Sequence, residues 1–477
     1  MDKISFGTGG WRAVIGVDFI KSNIERTAQG IAELIISKGK TELPVAIGHD
    51  RRFLSEDAMK WVSLVLAGNG IKVEYIDRSS PTPLIMFRVL DGGLHYGIEI
   101  TASHNPAAYN GIKLIVDEGR DAPVELTNEL ENIIANVTDI RRMDENDALG
   151  TGMITPIKNP FNGFIDSILS RLDVDKIKAR GPRVLFDPMH GSGTYPLTTI
   201  LSTSRCTIDV INYNRDVLFG GELPAPTKDT LVNLANGVKV GKYDMGIAFD
   251  GDGDRLGIID SDGTYITANQ ILVLMYYYLH EYRGWKGPVV RNLATTHMLD
   301  KVAEAIGEKC YEVPVGFKYI SSKMAEVDAV LGGESSGGMT VRGHINGKDS
   351  VYAASLFVEM ISVTGKSVGK LWRDLEKRFG RYEMVESNVK FAPEFKEELV
   401  PRLSDESALP HFSKTIDRVS FEDGTKYYFG DGSFLICRFS GTEPLLRIFA
   451  ESSDAASARR LIAEMNDYIY NKEPINV

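Results

Sequence analysis

The chain has 477 residues and a formal net charge of −11, from 54 Lys and Arg against 65 Asp and Glu. With 43% hydrophobic and 25% charged residues, its composition is that of a soluble globular protein. The acidic balance excludes a generally nucleic-acid-binding protein, since such proteins carry basic surfaces. At roughly 150 residues per domain, the length predicts about three domains, each able to bury its own core.

Nothing in the sequence points to export or to a membrane. The N-terminus lacks a basic segment followed by an apolar one, so no secretory signal is expected. The longest apolar stretch, 271–279, is far shorter than the roughly 20 residues that span a bilayer. Cys206, Cys310 and Cys437 form no C-x-x-C pair and are interpreted as reduced core thiols, which predicts a cytoplasmic protein.

The chain begins with alternating helices and strands. Ser22 and Glu25 have the spacing of a capping box, which predicts a helix N-terminus at Ser22. A strand at 45–48, a helix at 55–66 and a strand at 71–76 then form the βαβ unit of a doubly wound sheet. Parallel strands covered by helices follow from this alternation.

The same alternation recurs through most of the chain. Short buried strands that run into polar, glycine-rich loops are predicted at 183–187, 245–250, 289–290 and 330–332. The final segment has strands at 434–439 and 445–450 and a helix from about residue 454. The predicted fold class is α/β, with three tandem similar domains of mixed, mostly parallel sheets followed by a smaller α+β domain. The predicted domains are 1–150, 151–262, 263–370 and 380–477.

A serine follows the predicted strand at 96–100, in the run Thr101-Ala102-Ser103-His104-Asn105-Pro106. An exposed nucleophile can occupy such a place at the end of a buried strand. The hydrolase motif G-x-S-x-G is missing, and spacing alone favours a turn in which the serine hydroxyl is hydrogen-bonded locally. His104 is a candidate beside Ser103, although an extended backbone would point the two side chains apart.

Three carboxylates alternate with glycines after the next apolar strand. The glycines allow the tight curvature that lets Asp250, Asp252 and Asp254 surround one hard cation, and without a cation the carboxylates repel each other. An EF-hand is excluded because Arg255 stands at the sixth position and Ser261 at the twelfth. The spacing predicts a Mg²⁺ site, since Mg²⁺ takes few carboxylates together with a phosphate oxygen.

Two further loops suit a phosphorylated sugar. Glu334 and Ser336 lie in a Gly/Ser-rich run that can bind a polyol, although many such runs only connect elements. A later loop offers guanidiniums, hydroxyls and backbone N–H groups as a phosphate cradle, with surface arginines of a hairpin as the alternative. Its residues are Arg438, Ser440, Gly441, Thr442 and Arg447. Together the four loops predict that a phosphorylated sugar is handled with a divalent metal ion.

Motifs along the whole chain resemble those of the α-D-phosphohexomutases, the family of phosphoglucomutase and phosphomannomutase. The matching runs, in family order, are 6–12, 48–52, 101–106 with 110–113, 250–255, 316–320, 333–337 and 438–444. They span nearly the entire sequence, so the resemblance is highly specific. It implies a heart-shaped molecule of four domains, in which each domain gives one loop to a central cleft.

The resemblance implies roles for the residues at the reacting end of this cleft. Ser103 is similar to the serine that carries a phosphoryl group, and its phosphate would complete the Mg²⁺ shell of the three aspartates. Arg12, Lys113 and Arg255 match residues that steady the phosphoserine, the reacting hydroxyl and the substrate. Lys113 would act as general base if a nearby cation such as Arg12 lowered its pKa. The predicted catalytic residues are Ser103, Lys113, Arg12 and His104.

Other matches imply how the substrate is held. The predicted contacts with the sugar and with the phosphate that is not transferred are Arg255, Lys318, Glu334, Ser336, Arg438, Ser440, Gly441, Thr442 and Arg447. The implied reaction interconverts hexose 1-phosphate and hexose 6-phosphate, of glucose, mannose or both. Mg²⁺ is the implied cofactor, and glucose 1,6-bisphosphate is the implied activator and intermediate. The expected partner is a small sugar phosphate, and the sequence gives no oligomeric state.

Two departures from the family pattern leave the sugar open. Many relatives that use glucose and mannose phosphates have a histidine after the sugar-loop glycine, where this chain has Gly338, and His344 is the nearest candidate. Trp11 and Ala13 differ from the amino-sugar mutases, although amino-sugar and pentose phosphates stay as alternatives. The rivals from other classes are a phosphohydrolase with Asp250 as nucleophile and a sugar-phosphate sensor without turnover.

Overall fold

The structure is a computed structural model that describes residues 4–7, 10–391, 393–407, 409–439 and 445–470, without the side chains at 393 and 394. Within these residues the strands form four separate sheets, and helices pack against them. We name the corresponding parts of the chain domains I to IV. This architecture confirms the predicted class of three α/β domains followed by an α+β domain.

Domain I contains the largest sheet. Its strands are β1 (Phe6–Gly7), β2 (Gly10–Val14), β3 (Val45–His49), β4 (Val73–Tyr75), β5 (Tyr96–Ile100), β6 (Tyr109–Val116), β7 (Arg120–Asp121) and β8 (Ile154–Pro156). Its helices are α1 (Lys21–Ser37), α2 (Ser55–Gly68), α3 (Thr82–Asp91), α4 (Val124–Asn136) and α5 (Glu145–Gly150). The strand order is β1-β2-β6-β5-β3-β4-β8, with β7 paired to β6. The central strands β4, β3 and β5 are parallel, and β3 and β5 are buried along their whole length.

Domain II has a five-stranded sheet. Its strands are β9 (Arg183–Asp187), β10 (Thr207–Val210), β11 (Met245–Phe249), β12 (Leu256–Asp260) and β13 (Tyr265–Ile266). Its helices are α6 (Asn162–Leu169), α7 (Val174–Arg180), α8 (Thr194–Thr203) and α9 (Val232–Gly241), with a 3₁₀ turn at Phe219–Gly221. The strand order is β10-β9-β11-β12-β13, in which the first three strands are parallel and the others antiparallel.

Domain III has four strands in the order β15-β14-β16-β17, and the final pair is antiparallel. These strands are β14 (Val289–Asn292), β15 (Cys310–Val313), β16 (Leu331–Gly333) and β17 (Met339–Val341). Its helices are α10 (Ala268–Glu281), α11 (Met298–Ala305), α12 (Phe317–Val327), α13 (Ser350–Thr364) and α14 (Val368–Phe379). Helix α13 is buried over most of its length, within a hydrophobic cluster that also contains residues of domains I and II.

Domain IV is an antiparallel sheet with helices. Its elements are β18 (Glu383–Lys390), α15 (Pro393–Leu403), β19 (Ile416–Ser420), β20 (Thr425–Phe429), β21 (Phe434–Phe439), β22 (Leu445–Ser452) and α16 (Ala455–Tyr470). The strand order is β18-β22-β21-β20-β19, and each pairing is antiparallel. The apolar face of α16 packs on this sheet, so domain IV has a hydrophobic core of its own.

The start of α1 differs from the prediction. The helix begins at Lys21 after Ile20, and no side chain caps it, so the predicted capping box at Ser22 is wrong. Glu25 instead lies 3.2 Å from the guanidinium of Arg142. A carboxylate that is engaged in this way across the domain does not reach back to the helix terminus.

At two of the predicted domain boundaries, the strand that follows the boundary pairs with the sheet that precedes it. Strand β8 follows the boundary predicted at residue 150 and pairs with β4 in domain I. Strand β13 follows the boundary predicted at residue 262 and pairs with β12 in domain II. The turn at Gly263, which has a φ of +89°, therefore closes a hairpin within domain II.

No helix in the described parts of the chain combines the length and the apolar character that a bilayer requires. The apolar stretch at 271–279 lies in α10, which Thr267 caps, and it is mostly buried in the core. Cys206 and Cys310 are half-buried and Cys437 is buried, with no disulfide between them. Burial raises the pKa of the Cys206 and Cys310 thiols to about 12, so these thiols are unreactive at neutral pH.

Domains III and IV meet at a cluster of buried polar side chains. Lys426 in β20 donates to the carboxylate of Glu312 at 2.5 Å and to the carbonyl oxygen of Leu293 at 2.7 Å. The ring of His297 lies between the domains, with Nδ1 3.1 Å from the carbonyl oxygen of Gly432 and Nε2 3.0 Å from Lys426 Nζ. We assign the proton to Nδ1 and a neutral state to the ring, because Nε2 must accept from the ammonium group.

We expect this interface to weaken in acid. Burial lowers the pKa of His297 from its ordinary 6.5 to about 4. The unfolded chain takes up a proton near pH 6.5 and the folded chain only near pH 4, so the free energy of unfolding falls as the pH falls through this window. The loss is roughly 3 kcal/mol for one such group.

Thermal unfolding, followed by circular dichroism between pH 6.5 and pH 4, measures this dependence. We expect the Tm of His297→Asn to change less with pH than that of the wild type. His411 is exposed, so His411→Asn serves as the control and keeps the wild-type slope. Equal slopes for His297→Asn and the wild type would contradict the assignment.

Candidate active site

The serine loop starts where β5 ends and turns sharply at Ser103. Ser103 has a φ of +52°, and its backbone N–H donates to Thr101 Oγ1 at 2.8 Å. The hydroxyl that closes this turn is therefore that of Thr101 rather than that of Ser103. Ser103 Oγ instead donates to Asp250 Oδ2 of domain II at 2.9 Å, and the residue is fully buried.

The conformation at Ser103 also brings His104 back to the serine. An extended backbone was expected to separate the two side chains, but His104 Nδ1 lies 3.3 Å from Ser103 Oγ because the backbone at Ser103 is left-handed. Burial, together with the charges of Arg255 and Arg12, holds the pKa of His104 well below its usual range. The ring is therefore neutral, and because Ser103 Oγ donates its single proton to Asp250 Oδ2, we assign the proton of His104 to Nδ1, which donates to the serine oxygen.

A buried arginine fixes the shape of the serine loop. Arg52 Nη2 donates to the carbonyl oxygens of Ser103 and Asn105, each at 2.6 Å, and Nη1 donates to that of Pro106 at 2.9 Å. The Arg52 side chain is fully buried, and Asp50 balances its charge at 3.2 Å. Sequence reasoning placed Arg52 in a family motif without a role. The signal that could have found it is a charged Asp-Arg-Arg run after a buried strand.

The three aspartates lie in the loop that follows β11. They are fully buried, and one ligand atom from each lies within 4.8 Å of the others. Asp250 Oδ1 accepts from the N–H groups of Asp254 and Arg255, each at 3.0 Å, so the loop curls around its first carboxylate. Glycine is required at Gly251, where a Cβ would lie 2.7 Å from the carbonyl oxygen of Ser103.

The chemistry of this aspartate cluster fits a divalent cation. Asp252 Oδ1 and Asp254 Oδ1 are buried and have no hydrogen-bond partner among the described residues. Burial and the charges of Asp252 and Asp254 raise the pKa of Asp250 well above its usual range, which shows how poorly the cluster holds three charges by itself. Hard oxygen ligands in this number suit Mg²⁺. The residues present therefore fit the Mg²⁺ site that the sequence predicts.

Two lysines neutralise part of the negative charge. Lys113 in β6 lies 2.6 Å from Asp252 Oδ2 and 2.8 Å from Asp254 Oδ2, and Lys348 lies 2.8 Å from Asp254 Oδ2. Burial opposes the charge on Lys113, but the aspartates outweigh burial and raise its pKa above the ordinary value. The expected lowering by Arg12 is therefore wrong for this arrangement, because direct ion pairs with Asp252 and Asp254 dominate.

Two arginines add positive charge near the serine. Arg12 in β2 donates to Asn105 Oδ1 at 2.6 Å, which places it next to the serine loop. Arg255 Nε lies 3.9 Å from Asp250 Oδ2 and 4.0 Å from Asp254 Oδ1. Burial and the charge of Arg255 lower the pKa of Arg12, so the two guanidiniums act on each other across the site. Such a concentration of positive charge suits a phosphoryl group.

We call residues 332–338 the sugar loop. A backbone hydrogen bond joins this loop to the start of β12, just after the three aspartates. The N–H of Leu256 donates to the carbonyl oxygen of Gly337 at 3.2 Å. Ser336 Oγ donates to Glu334 Oε1 at 2.7 Å, and Asn292 Nδ2 donates to Glu334 Oε2 at 3.3 Å. Glu334 and Ser336 therefore lie together beside the aspartate cluster, with polar groups that can exchange this bond for bonds to sugar hydroxyls.

Lys348 occupies the space beside Gly338. A Cβ on Gly338 would lie 2.3 Å from Lys348 Cδ. His344 is buried elsewhere in the core, where its Nε2 lies 2.7 Å from Asp349 Oδ2 and its ring packs on Phe87. His344, the nearest candidate for the missing histidine, is therefore held by Asp349, and the atoms nearest to Gly338 belong to Lys348 and Glu334. Lys348 escaped the sequence analysis, since its one local signal is its place before the Asp349 cap of α13.

The phosphate loop is described only in part. The predicted contacts Ser440, Gly441 and Thr442 lie outside the described residues. Arg438 in β21 and Arg447 in β22 are cross-strand partners, so their side chains leave the sheet on the same face. This placement puts two guanidiniums at the base of the loop.

Lys318 lies in the first turn of α12, in domain III. It lines a cleft together with Lys113 and Asp121 of domain I. The predicted substrate contact at Lys318 therefore faces the same space as Lys113, from the opposite domain.

Each domain of the chain matches one domain of a known family. Residues 3–141, 162–263 and 267–379 match α/β/α domains I, II and III of phosphoglucomutase/phosphomannomutase. Residues 386–467 match the C-terminal domain of the same family. The four matches lie in order and cover most of the sequence.

Individual relatives extend this similarity over full chains. The chain is 29% identical over 476 residues to phosphoglucosamine/phosphogalactosamine mutase of Sulfurisphaera tokodaii, covering 98% of this chain and 99% of that protein. It is 29% identical over 460 residues to phosphoglucomutase/phosphomannomutase of Thermococcus kodakarensis, covering 96% of each. A crystal structure from Thermus thermophilus, assigned as a phosphomannomutase, shares the fold with a TM-score of 0.85, 24% identity and coverage of 98% of this chain and 99% of that one. The chain therefore belongs to the phosphoglucomutase/phosphomannomutase family and is an enzyme of the phosphohexomutase type.

Proposed function

We propose that this enzyme interconverts hexose 1-phosphate and hexose 6-phosphate, of glucose, mannose or both, through a phosphorylated Ser103. The observation that carries the proposal is the position of Ser103 Oγ, buried 2.9 Å from Asp250 Oδ2 at the edge of the three-aspartate cluster. A serine placed only for structure has no need of three carboxylates and two lysines around it.

In the forward step, the bond between phosphorus and Ser103 Oγ breaks as a bond to the free hydroxyl of the sugar forms. A Mg²⁺ ion held by Asp250, Asp252 and Asp254 would supply positive charge to the transferring phosphoryl group. The proton of the sugar hydroxyl goes to Lys113, the base predicted from the sequence. Lys113 accepts it only as a neutral amine, so this step needs the ion pairs of Lys113 with the aspartates to loosen.

The bisphosphate then turns over in the cleft, and its other phosphate returns to Ser103. Ser103 Oγ loses its proton in this step as the new bond to phosphorus forms. That proton leaves along the hydrogen bond from Ser103 Oγ to Asp250 Oδ2, and the neutral ring of His104, with Nδ1 3.3 Å from Ser103 Oγ, orients the serine oxygen for attack. Arg12 and Arg255 hold charge against the phosphoryl group while the serine and the sugar exchange it.

The other loops bind the parts of the substrate that lie away from the reacting atoms. Glu334 and Ser336 exchange their mutual hydrogen bond for contacts with sugar hydroxyls. Arg438 and Arg447 bind the phosphate that is not transferred, together with the predicted loop contacts at 440–442. One cradle must then accept the 1-phosphate and the 6-phosphate in turn.

A second candidate substrate is an amino-sugar phosphate. The relatives named for phosphoglucosamine and for glucose and mannose phosphates have the same identity to this chain, 29%. Lys348 lies beside Gly338, the residue at the place where many relatives that use glucose and mannose phosphates have a histidine. The identity of the substrate sugar is therefore to be determined by direct assay.

Coupled assays with glucose 1-phosphate, mannose 1-phosphate and glucosamine 1-phosphate test the proposal. Each is run with Mg²⁺ and with and without glucose 1,6-bisphosphate as activator. We expect turnover with glucose or mannose phosphate, activation by the bisphosphate, and a gain of about 80 Da that peptide mapping places on Ser103. A phosphate on Asp250 would favour the phosphohydrolase. Bound sugar phosphate without turnover or phosphoprotein would favour the sensor.

A further inference from the structure

The turn between β19 and β20 in domain IV packs flat against β21. Gly424, in this turn, has a φ of +82°, and a Cβ there would lie 2.2 Å from the carbonyl oxygen of Cys437. Only glycine permits such a close approach of the two backbones. The neighbouring residue, Asp423, is therefore carried to the side of Arg438, at the base of the phosphate loop.

The carboxylate of Asp423 contacts both strand β21 of domain IV and a loop of domain III. Both of its oxygens lie 2.9 Å from Arg438 Nε, and Oδ2 also accepts from the backbone N–H of Val315 in domain III at 2.9 Å. The side chain of Val315 packs in a hydrophobic cluster with Phe434 and Ile436 of β21. Val315 thus joins the two domains in two ways. Its backbone N–H donates to the carboxylate of Asp423, and its side chain packs on β21.

This contact leaves the far end of Arg438 available. Asp423 engages Nε, while Nη1 and Nη2 have no hydrogen-bond partner among the residues that the structure describes. The two Nη groups are the pair that binds a phosphate through parallel hydrogen bonds. An arginine fixed at Nε loses less side-chain freedom when phosphate binds, which strengthens the complex.

The contact between Asp423 and Val315 also fixes the chain just before Lys318, a predicted substrate contact. Val315 is followed by Gly316, with a φ of +136°, and then by α12, which carries Lys318 in its first turn. Phe317 lies under Lys348, with Nζ 6.0 Å from the ring centroid. A short path of contacts therefore runs from the phosphate loop of domain IV to the cleft of domains I and III.

Asp423 also has an opposite effect, because its negative charge repels a phosphate. That repulsion acts across a partly exposed site and is screened beyond about 8 Å at physiological ionic strength. The contact that orients the guanidinium is only 2.9 Å long, so salt screens it less than it screens the longer-range repulsion. We therefore expect the positioning effect to exceed the repulsion at that ionic strength.

We propose that Asp423 is a positioning residue for phosphate binding: it orients Arg438 and ties the end of β21 in domain IV to the loop at 315–318 of domain III. The proposal rests on the proposed function for the identity of the phosphate as that of a hexose phosphate. The binding of inorganic phosphate tests the same geometry without any turnover.

The test compares Asp423→Asn with the wild type. Asparagine keeps the size of the side chain and an oxygen for Val315, but it removes the charge that orients Arg438. We expect KM for glucose 1-phosphate and the dissociation constant of inorganic phosphate, measured by calorimetry, each to rise about tenfold. We expect kcat to stay within about twofold, since Ser103 and the aspartate cluster lie in other domains. Phosphate on Ser103, read by intact mass, is expected at the wild-type level.

Matched variants separate positioning from general damage. Asp417 is exposed on β19, so Asp417→Asn makes the same charge change in the same domain and is expected to leave KM at the wild-type value. Asp423→Ala, which places no new donor against Arg438, is expected to show the same rise in KM as Asp423→Asn. The Tm of each variant and its phosphate on Ser103 report that the protein is folded.

Three results would overturn the proposal: an unchanged KM in Asp423→Asn, tighter phosphate binding in that variant, or an equal rise in KM in Asp417→Asn. Tighter binding would make Asp423 a mere counter-charge. Failure of the proposed function is a separate result, since it would show as a wild-type enzyme without mutase turnover or phosphoserine. The comparison of inorganic phosphate affinities stays interpretable in that case.

Discussion

Ser103→Ala is expected to carry no phosphate and to lose turnover by at least about 10⁴-fold. The Ser103 hydroxyl lies 2.9 Å from Asp250 Oδ2 and can bind a phosphoryl group covalently and release it again. Alanine fits the buried site without strain in the turn, because Thr101 rather than Ser103 closes that turn. The measurements are intact mass after incubation with glucose 1,6-bisphosphate and Mg²⁺, and the coupled mutase assay.

Ser63→Ala is the matched control for this variant. Ser63 is also buried in domain I, where it donates to the carbonyl oxygen of Met59 within α2, and it has no place in the proposed chemistry. Its phosphate content and turnover are expected to equal those of the wild type. A Ser103→Ala enzyme that still turned over, or that carried phosphate on Asp250, would contradict the phosphoserine mechanism.

The second large effect is expected at the aspartates. Substitutions there should all lower turnover, but they should change stability in opposite directions. Asp250→Asn and Asp254→Asn should each lower turnover by about 10³-fold or more, because each removes a charged ligand from the Mg²⁺ site. Lys113 and Lys348 both contact Asp254, whereas neither contacts Asp250. In the absence of metal, Asp254→Asn leaves two buried ammonium groups with less compensation, whereas Asp250→Asn relieves repulsion.

Thermal unfolding in EDTA therefore distinguishes the two aspartate variants. Asp254→Asn is expected to lose about 3 kcal/mol of stability, the scale found when a buried ion pair is broken. Asp250→Asn is expected to have a higher Tm than the wild type, since its Oδ1 can still accept from the N–H groups of Asp254 and Arg255. Calorimetry with Mg²⁺ should show weaker binding in both. A lower Tm for Asp250→Asn would show that Arg255, 3.9 Å from Asp250 Oδ2, compensates the charge of Asp250 more than the neighbouring carboxylates oppose it.

The parts of the site that were predictable from sequence are those in which the chemistry is contained in one short run. Asp250, Asp252 and Asp254 share a loop, and the loop itself bends their carboxylates together. The buried strands before these loops were also predictable, because continuous apolar runs are typical of strands inside a parallel sheet. Both β5 and β11 lie where the pattern placed them.

The other features of the site could not be predicted, because they depend on contacts between distant parts of the chain or on the local backbone conformation. Lys348 reaches Asp254 from another domain, and no local pattern distinguishes it from other lysines. The sign of the shift in the Lys113 pKa could not be worked out without knowing which charges lie nearest. His104 shows the same limit on a smaller scale, since one left-handed residue reverses the direction of the side chain that follows.

Arg52 has a consequence for how the two ends of the substrate are treated. Its guanidinium ties three carbonyl oxygens of the serine loop to a buried position, so Ser103 has almost no freedom to travel. A serine that is anchored in this way cannot move from one end of a bound sugar to the other. In the proposed reaction the small molecule must therefore be the part that moves, by releasing both of its phosphate contacts and rotating end over end. The enzyme therefore needs a chamber wide enough for that rotation and retentive enough that a doubly phosphorylated sugar does not escape during it.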